Sequence, residues 1–203
     1  MKLLTAVAVF MLLLSGLAIA QDKPQEQPAA GAQAMPPMGP PQPTPEMQKY
    51  IKMFSGRWKT KETFEKSPMM PNGGTGQGEA MSHPGPGGLS LMDHYKSQSA
   101  MGSFEGAGAT WFDPKDKMYH TFWCDSMTPT GCQLMGGGNW EGENLVFTNE
   151  SEVNGQKFAS KMIVSDIKPD SYKWTMLMGP SGAELKPFMT MEYTKVGEAE
   201  HKH

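Results

Sequence analysis

The feature that most limits the fold is a series of short β-type segments that fills the chain after residue 56. About ten segments of β-forming residues recur at roughly 10 to 15 residue spacing, and turns rich in Gly, Pro, Asn or Asp separate them. Asn154-Gly155 is the strongest of these hairpin signals. The sequence shows no helical crossover between segments, which parallel strands would need. The pattern therefore predicts an all-β fold, an antiparallel up-and-down β-barrel of about ten strands.

One short amphipathic helix is predicted directly before the first strand. Met47, Tyr50 and Phe54 recur on one helical face, Thr44 is suited to the N-cap, and Pro45 takes the first helical position. We expect this helix to cover one end of the barrel. A closed wall of this size leaves room for one small ligand, and glycines within the strands permit the coiling that closes it.

The composition divides the chain into four parts. Residues 1–20 have a positive start, an apolar core and a small-residue cleavage site, which predicts a signal peptide. Residues 21–43 are rich in Pro, Gln and Ala and are predicted to form a disordered linker. The barrel domain is expected at 44–196 and a flexible tail at 197–203. The protein is therefore expected to be exported, either to a periplasm or to the outside of the cell.

Charge and hydropathy limit the partners. The formal net charge of −3 is mild and shows no basic footprint for nucleic acid. After the signal peptide, no apolar stretch approaches the length of a membrane span. We therefore expect neither nucleic-acid binding nor a membrane span.

Cys124 and Cys132 are the two cysteines of the chain. They flank a short connection between predicted neighbouring strands, and export would place them in an oxidising compartment. A disulfide is the preferred interpretation, with two buried thiols as the alternative. Their spacing matches no zinc-binding pattern.

Other chemistries stay open as alternatives to simple binding. A haem-binding barrel would need an axial histidine, for which His94 or His120 could serve. An enzyme could use the same cavity with Asp125 or His120 as the base, and two carboxylates among Asp93, Asp125 and Glu192 could form an acid/base pair. Copper(I) would favour thioether ligands. The residues considered for copper are Met35, Met38, Met47, Met69, Met70, His201 and His203.

Two resemblances add to this interpretation. The helix followed by Gly56-Arg57-Trp58 resembles the entry to a calycin-type barrel, the architecture of lipocalins and fatty-acid-binding proteins. The domain also resembles the bacterial domain-of-unknown-function 1579 family, which implies a barrel with a pocket and no known reaction. The stretches that carry this second resemblance are Phe54–Trp58, Phe104–Gly108, Phe112–Pro114, Tyr119–Trp123, Asp125-Ser126, Gly138–Gly142 and Met191–Tyr193.

The hypothesis from the sequence is an exported barrel that binds a small apolar or amphipathic molecule. Aromatic and methionine side chains would line the pocket, and a few polar groups would orient the ligand. We expect no bound cofactor and assign no catalytic or metal-ligating residue. A scaffold whose own side chains fill the cavity is the remaining alternative. The proposed lining residues are Tyr95, His120, Trp123, Trp140, Trp174 and Met176.

Overall fold

The structure is a computed structural model that describes residues 39–68, 70–153 and 155–198. The predicted signal peptide, most of the predicted linker and the end of the predicted tail lie outside these residues. No helix in the described ranges is long and apolar enough to cross a membrane.

A short helix precedes eleven strands, and a single 3-10 turn, Pro86–Gly88, lies between the second strand and the third. The helix is α1 (Pro45–Phe54). The strands are β1 (Gly56–Phe64), β2 (Gly74–Pro84), β3 (Ser90–Ser99), β4 (Gly102–Asp113), β5 (Met118–Asp125), β6 (Cys132–Leu134), β7 (Gly138–Glu141), β8 (Asn144–Val153), β9 (Gln156–Lys168), β10 (Ser171–Pro180) and β11 (Lys186–Gly197).

The strands form a closed antiparallel barrel, which confirms the predicted fold class. Apart from β6, each strand pairs with the next strand of the wall, and β11 returns to pair with β1 along eight register positions, from Arg57↔Gly197 to Phe64↔Met189. Ten strands make the wall, and β6 pairs only with β5. Closure gives every strand of the wall two neighbours and so removes the exposed sheet edges of an open sheet.

Residues 132–140 form two short strands, β6 and β7, with two glycines between them. The reason is a close approach of the intervening chain to the backbone of β8. A Cβ atom at Gly136 would lie 1.6 Å from the carbonyl oxygen of Thr148, so only glycine fits there. Residues 122–124 of β5 then pair with β6, and Tyr119 of β5 pairs with Gly138 of β7.

The helix begins as the sequence predicts. Thr44 is the N-cap, and its hydroxyl accepts a hydrogen bond of 3.2 Å from the backbone N–H of Met47. The buried face of α1 consists of Met47, Tyr50 and Phe54. The indole Nε1 of Trp58 donates to the carbonyl oxygen of Phe54 at 3.0 Å, which joins the end of the helix to the start of β1.

The helix closes one end of the barrel by packing onto a dense core. The Tyr50 and Tyr119 rings lie 5.1 Å apart, and the Tyr119 hydroxyl donates to the carbonyl oxygen of Glu46 at 3.1 Å. Leu91, Tyr119 and Leu145 of this region are at most 1% exposed. We call this part of the barrel the capped end.

Strand β1 shows which face of the wall points inward. Trp58, Thr60, Glu62 and Phe64 are buried, and the residues between them are exposed. Successive side chains of a strand point to opposite faces, and the register carries this alternation to the other strands. The facing positions of β2 are small, which leaves space for the inward side chains of β1.

Gly78 is one of these positions and provides a test of the packing. A Cβ atom there would lie 2.6 Å from the Tyr95 hydroxyl and 2.7 Å from the carbonyl oxygen of Lys96. We expect Gly78→Ala to lower the free energy of unfolding by about 1–3 kcal/mol in urea denaturation. Gly197→Ala is the control, because nothing lies within 4 Å of a Cβ there. Equal effects of the two substitutions would contradict the packing described.

A disulfide joins Cys124 of β5 to Cys132 of β6, which lie directly opposite each other in the ladder. We expect Cys124→Ala/Cys132→Ala to lower the free energy of unfolding by about 2–3 kcal/mol, because the bridge restricts the unfolded chain. Thermal unfolding of the oxidised wild type, the reduced wild type and the double variant measures this. The reduced wild type should match the variant, and an unreduced wild type with two free thiols would disprove the bridge.

Candidate functional site

Beyond the capped end, the inside of the barrel is less densely filled. Several large inward-facing side chains there keep part of their surface accessible, whereas Leu91, Tyr119 and Leu145 at the capped end are at most 1% exposed. Close packing in a protein core leaves little such surface, so accessible space adjoins these side chains. We call this part of the interior the lumen. Inward-facing residues of the lumen with intermediate exposure include Ser97, Phe104, Trp123, Trp174, Met176 and Tyr193.

A polar layer crosses the lumen near β1 and β3. The Tyr95 hydroxyl donates a short hydrogen bond to Oε1 of Glu62 and lies 2.9 Å from the Thr60 hydroxyl. Glu62 and Thr60 are each 4% exposed, and the other carboxylate oxygen of Glu62, Oε2, has no hydrogen-bond partner among the described residues. A Cβ atom at Gly76 would lie 2.1 Å from that oxygen, so the glycine leaves the space in which the carboxylate sits.

A second carboxylate, Asp93, lies two residues before Tyr95 on the same inward face of β3. Burial raises the pKa of Asp93 from 3.8 to about 6, although a hydrogen bond of 2.5 Å from the Ser82 hydroxyl opposes the shift. Burial also raises the pKa of Tyr193 well above its ordinary value, and nearby ionisable groups that include Asp93 and Glu62 add to that shift. The polar layer is therefore acidic and rich in tyrosine hydroxyls.

The structure brings together most of the predicted lining residues. Tyr95, Trp123, Trp174 and Met176 share the inward face of the wall. The Trp123 ring lies against the glycines of β4, since a Cβ at Gly106 would be 2.4 Å from it. These four residues are the part of the predicted site that lies in the lumen.

The other two predicted lining residues lie elsewhere. Trp140 is at the capped end, where its Nε1 donates to the Tyr119 hydroxyl at 3.4 Å and the Lys49 ammonium lies 4.0 Å from its ring centroid. His120 is on the outer face of β5, because its neighbour Tyr119 is fully buried inside. Its ring stacks on Trp111 of the outer wall at 5.7 Å between centroids.

The residues considered for haem are not in the lumen. His94 and His120 both face outward from their strands, and the His94 ring stacks with that of His83 at 6.2 Å. The lumen therefore holds neither histidine as an axial ligand.

The residues considered for copper and for acid/base chemistry are also dispersed. Met47 is 1% exposed beneath the helix. The carboxylate of Asp125 accepts hydrogen bonds from the backbone N–H groups of Met127 and Thr128, and Glu192 faces the solvent. Of the acidic residues considered, Asp93 and Asp125 lie on the inward face of their strands, but the Asp125 carboxylate is held in the turn after β5. Met35, Met38, Met69, His201 and His203 lie outside the described residues.

One group in the described ranges has the side chains of a metal site. Single ligand atoms of Asp113, Asp116 and His120 lie within 4.8 Å of one another on the outer wall. The hairpin between β4 and β5 accounts for this arrangement. The Asp113 carboxylate accepts from the backbone N–H of Lys115 at 2.8 Å, and Asp116 accepts from that of Met118 at 3.0 Å and contacts His120 at 2.8 Å.

Two grooves lie on the outer wall. One, of about 620 Å³, runs over the middle of β1, β2, β3 and β11 and is lined mainly by charged and amide side chains such as Lys61, Gln77 and Lys96. The other, of about 610 Å³, lies between the segment before α1 and the β3–β4 wall, and includes Trp111 and Leu89. Neither groove contains the acidic layer of the lumen.

Sequence reasoning missed Glu62, Thr60, Ser82 and Tyr193 as lumen residues. The alternation around Trp58 contained the signal for the first two, because even-numbered positions of β1 share the inward face with that tryptophan. A carboxylate among lysines is normally interpreted as solvent-exposed unless it is known which face of the strand points inward.

The fold and the site define a helix-capped, closed antiparallel β-barrel with an acidic, aromatic lumen. The chain belongs to the DUF1579 family of proteins of unknown function, whose model matches residues 42–195. The comparison with curated proteins gives no significant match.

Solved structures with the same kind of fold are distant in sequence. Rv2717c from M. tuberculosis is 11% identical over 76% of this chain and 99% of that chain, with a TM-score of 0.50. The S-type phycobiliprotein lyase CPES from Guillardia theta is 7% identical over 76% and 93%, with a TM-score of 0.48. A redesigned β-barrel, mFAP0, bound to DFHBI, is 14% identical over 70% and 99%, with a TM-score of 0.39. The similarity to Rv2717c agrees with the barrel fold.

The raised pKa of Asp93 predicts a pH-dependent stability. Because the folded-state pKa, about 6, lies above the ordinary value of 3.8, the native state binds the proton more tightly. The contribution of Asp93 to the free energy of unfolding therefore falls as the pH rises from about 4 to about 6 and is constant above that. We expect Asp93→Asn to raise the free energy of unfolding by about 1–3 kcal/mol at pH 8 and by much less at pH 4.

Urea denaturation at both pH values measures this difference. Asp170→Asn, in the exposed turn before β10, is the control and should show no such dependence on pH. A gain from Asp93→Asn that is equal at both pH values would show that ionisation of Asp93 is not the cause.

Proposed function

We propose that this protein binds one small apolar or amphipathic molecule in the lumen of its barrel. The observation that carries the proposal is the contrast between the two ends of the barrel. Leu91, Tyr119 and Leu145 under the helix are at most 1% exposed. Trp123, Trp174 and Met176 also face inward but remain partly accessible. Aromatic and methionine surface beside a few polar groups is the usual lining of a small-molecule site.

The polar layer supports an amphipathic ligand over a purely apolar one. Thr60, Tyr95 and Glu62 supply oriented hydroxyl and carboxylate groups inside an otherwise apolar wall. Buried polar groups cost free energy unless they are hydrogen-bonded, so a wholly apolar ligand packed against this layer would leave Oε2 of Glu62 without a donor. A molecule with one polar end would match both parts of the lumen.

Binding is favoured over catalysis by the position of the two groups considered as the base. His120 faces outward, and the Asp125 carboxylate holds the turn after β5 through the backbone N–H groups of Met127 and Thr128. The protein is also proposed to act after export, in a periplasm or outside the cell. The Cys124–Cys132 disulfide is compatible with that location, because disulfides persist in oxidising compartments.

A pair of tryptophan substitutions tests binding in the lumen. Trp123 faces inward on β5, and Trp111 faces outward on the adjacent strand β4. With the neutral fluorescent probe N-phenyl-naphthylamine, we expect Trp123→Ala to weaken binding about tenfold, because a large aromatic contact is lost. We expect Trp111→Ala to leave the affinity within about twofold.

The other outcomes decide between the alternatives. Loss of affinity in Trp111→Ala alone would place the probe in the outer groove and contradict the lumen site. No binding to the wild type, together with no molecule retained in native mass spectrometry of protein from its own host, would favour a scaffold with a filled interior.

A further inference from the structure

We propose that the molecule bound in the lumen is an organic cation, an ammonium with an apolar body, and that Glu62 receives its charged end. This inference rests on the proposed function and specifies the chemical class of the ligand. Its basis is the charge of the lumen, an unpartnered carboxylate oxygen and the aromatic surface around it.

The charges of β1 are sorted between its two faces. Lys59 and Lys61 are exposed on the outer wall, whereas Glu62 is 4% exposed and points inward. On β3, Asp93 points inward and Lys96 points outward, where it pairs with Glu105 at 2.9 Å. The charged residues on the inward face of β1 and β3 are therefore acidic, whereas the outer face carries both signs, with Lys59 opposite Glu79 and Lys61 opposite Glu192.

No lysine or arginine of the described ranges forms an ion pair with Glu62 or Asp93. Lys195 lies on the inward face of β11, opposite Trp58 in the ladder. Its ammonium pairs with Glu198 at 2.9 Å and lies 5.7 Å from the centroid of the Trp58 ring, at the rim of the capped end. A negative ligand would therefore meet two carboxylates that form no ion pair with a lysine or arginine of the described ranges, whereas a positive ligand would supply a cation.

The Glu62 carboxylate is only half satisfied. Tyr95 donates to Oε1, but Oε2 is buried and has no partner among the described residues. A buried acceptor without a donor is costly, and the cost is greater for a charged group. An ammonium N–H would provide the missing donor.

Aromatic side chains of β1, β10 and β11 share the inward face with Glu62. Tyr172 and Tyr193 stack with centroids 4.2 Å apart, and the Trp58 ring meets Tyr172 edge to face at 4.9 Å. The faces of aromatic rings attract cations, and the attraction is larger where water is excluded. Carboxylates combined with aromatic faces thus favour an ammonium over a neutral or anionic group of the same size.

Three probes with the same ten-carbon chain test the proposal: decylamine, decanol and decanoate. Their binding to the full-length mature protein is followed below the micelle concentration by tryptophan fluorescence and titration calorimetry. We expect the amine to bind at least about tenfold more tightly than the alcohol, because a charge-assisted hydrogen bond forms. The carboxylate should bind most weakly of the three.

Glu62→Gln tests the residue itself and should reduce the amine-to-alcohol ratio to about one. Glu79→Gln is the matched control, because it makes the same change of charge on the exposed face of the neighbouring strand β2. It should leave the ratio unchanged. If both variants lose the ratio equally, net charge and not the site is responsible, and the proposal is overturned.

The wild type alone can also overturn the inference, without depending on the folding of a variant. Equal binding of decylamine and decanol would disprove the cation preference and leave lumen binding intact. Tighter binding of decanoate would reverse the assigned charge. Binding of none of the three would remove this inference and, together with a negative result for the neutral naphthylamine probe, the proposed function as well.

Discussion

The structure depends on one constraint, the closure of the wall through the antiparallel pairing of β1 with β11. Closure converts the simple alternation of a strand into an inside and an outside. Once Trp58 is placed inside, the phase of β1 assigns Thr60 and Glu62 to the lumen, and the register extends that assignment around the barrel. A shift of one residue in a single pairing would move a carboxylate and its hydrogen-bonded partners to opposite faces. The polar layer therefore exists only because the register is maintained on both sides of β1.

The acidic layer fits inside the wall because glycines occupy the facing positions of the neighbouring strand. Gly76 and Gly78 face Glu62 and Tyr95, and neither position has space for a Cβ atom. In an open sheet these glycines would only weaken the strand. Here they let a bulky polar group lie flat against the wall, as Gly106 and Gly108 do for the Trp123 ring. The glycine content of the strands thus serves the interior as well as the curvature of the barrel.

The two ends of the barrel differ in packing. At one end, α1 packs Tyr50 and Phe54 onto a filled core, which supplies apolar burial. At the other end, inward-facing side chains such as Trp123 remain partly accessible, and this is where we propose that a ligand binds. The buried carboxylates Glu62 and Asp93 cost free energy, a pattern more typical of functional sites than of stabilising cores.

The sequence by itself determined the type and order of the elements, because propensity, capping and turn chemistry act within a few residues of each other. Thr44 at the N-cap, the strand Met118–Asp125 and the hairpin around Asn154-Gly155 follow from such local rules. The tertiary structure decided which face of each strand is the inside. Alternation with a period of two does not by itself tell which face of a strand points inward. His120 and Tyr119 were therefore equal candidates for the lumen until the burial of the tyrosine placed the histidine outside. The pairing of β1 with β2 and of β2 with β3 likewise brought Glu62 to Tyr95 across 33 residues of sequence, a contact that no local pattern contains.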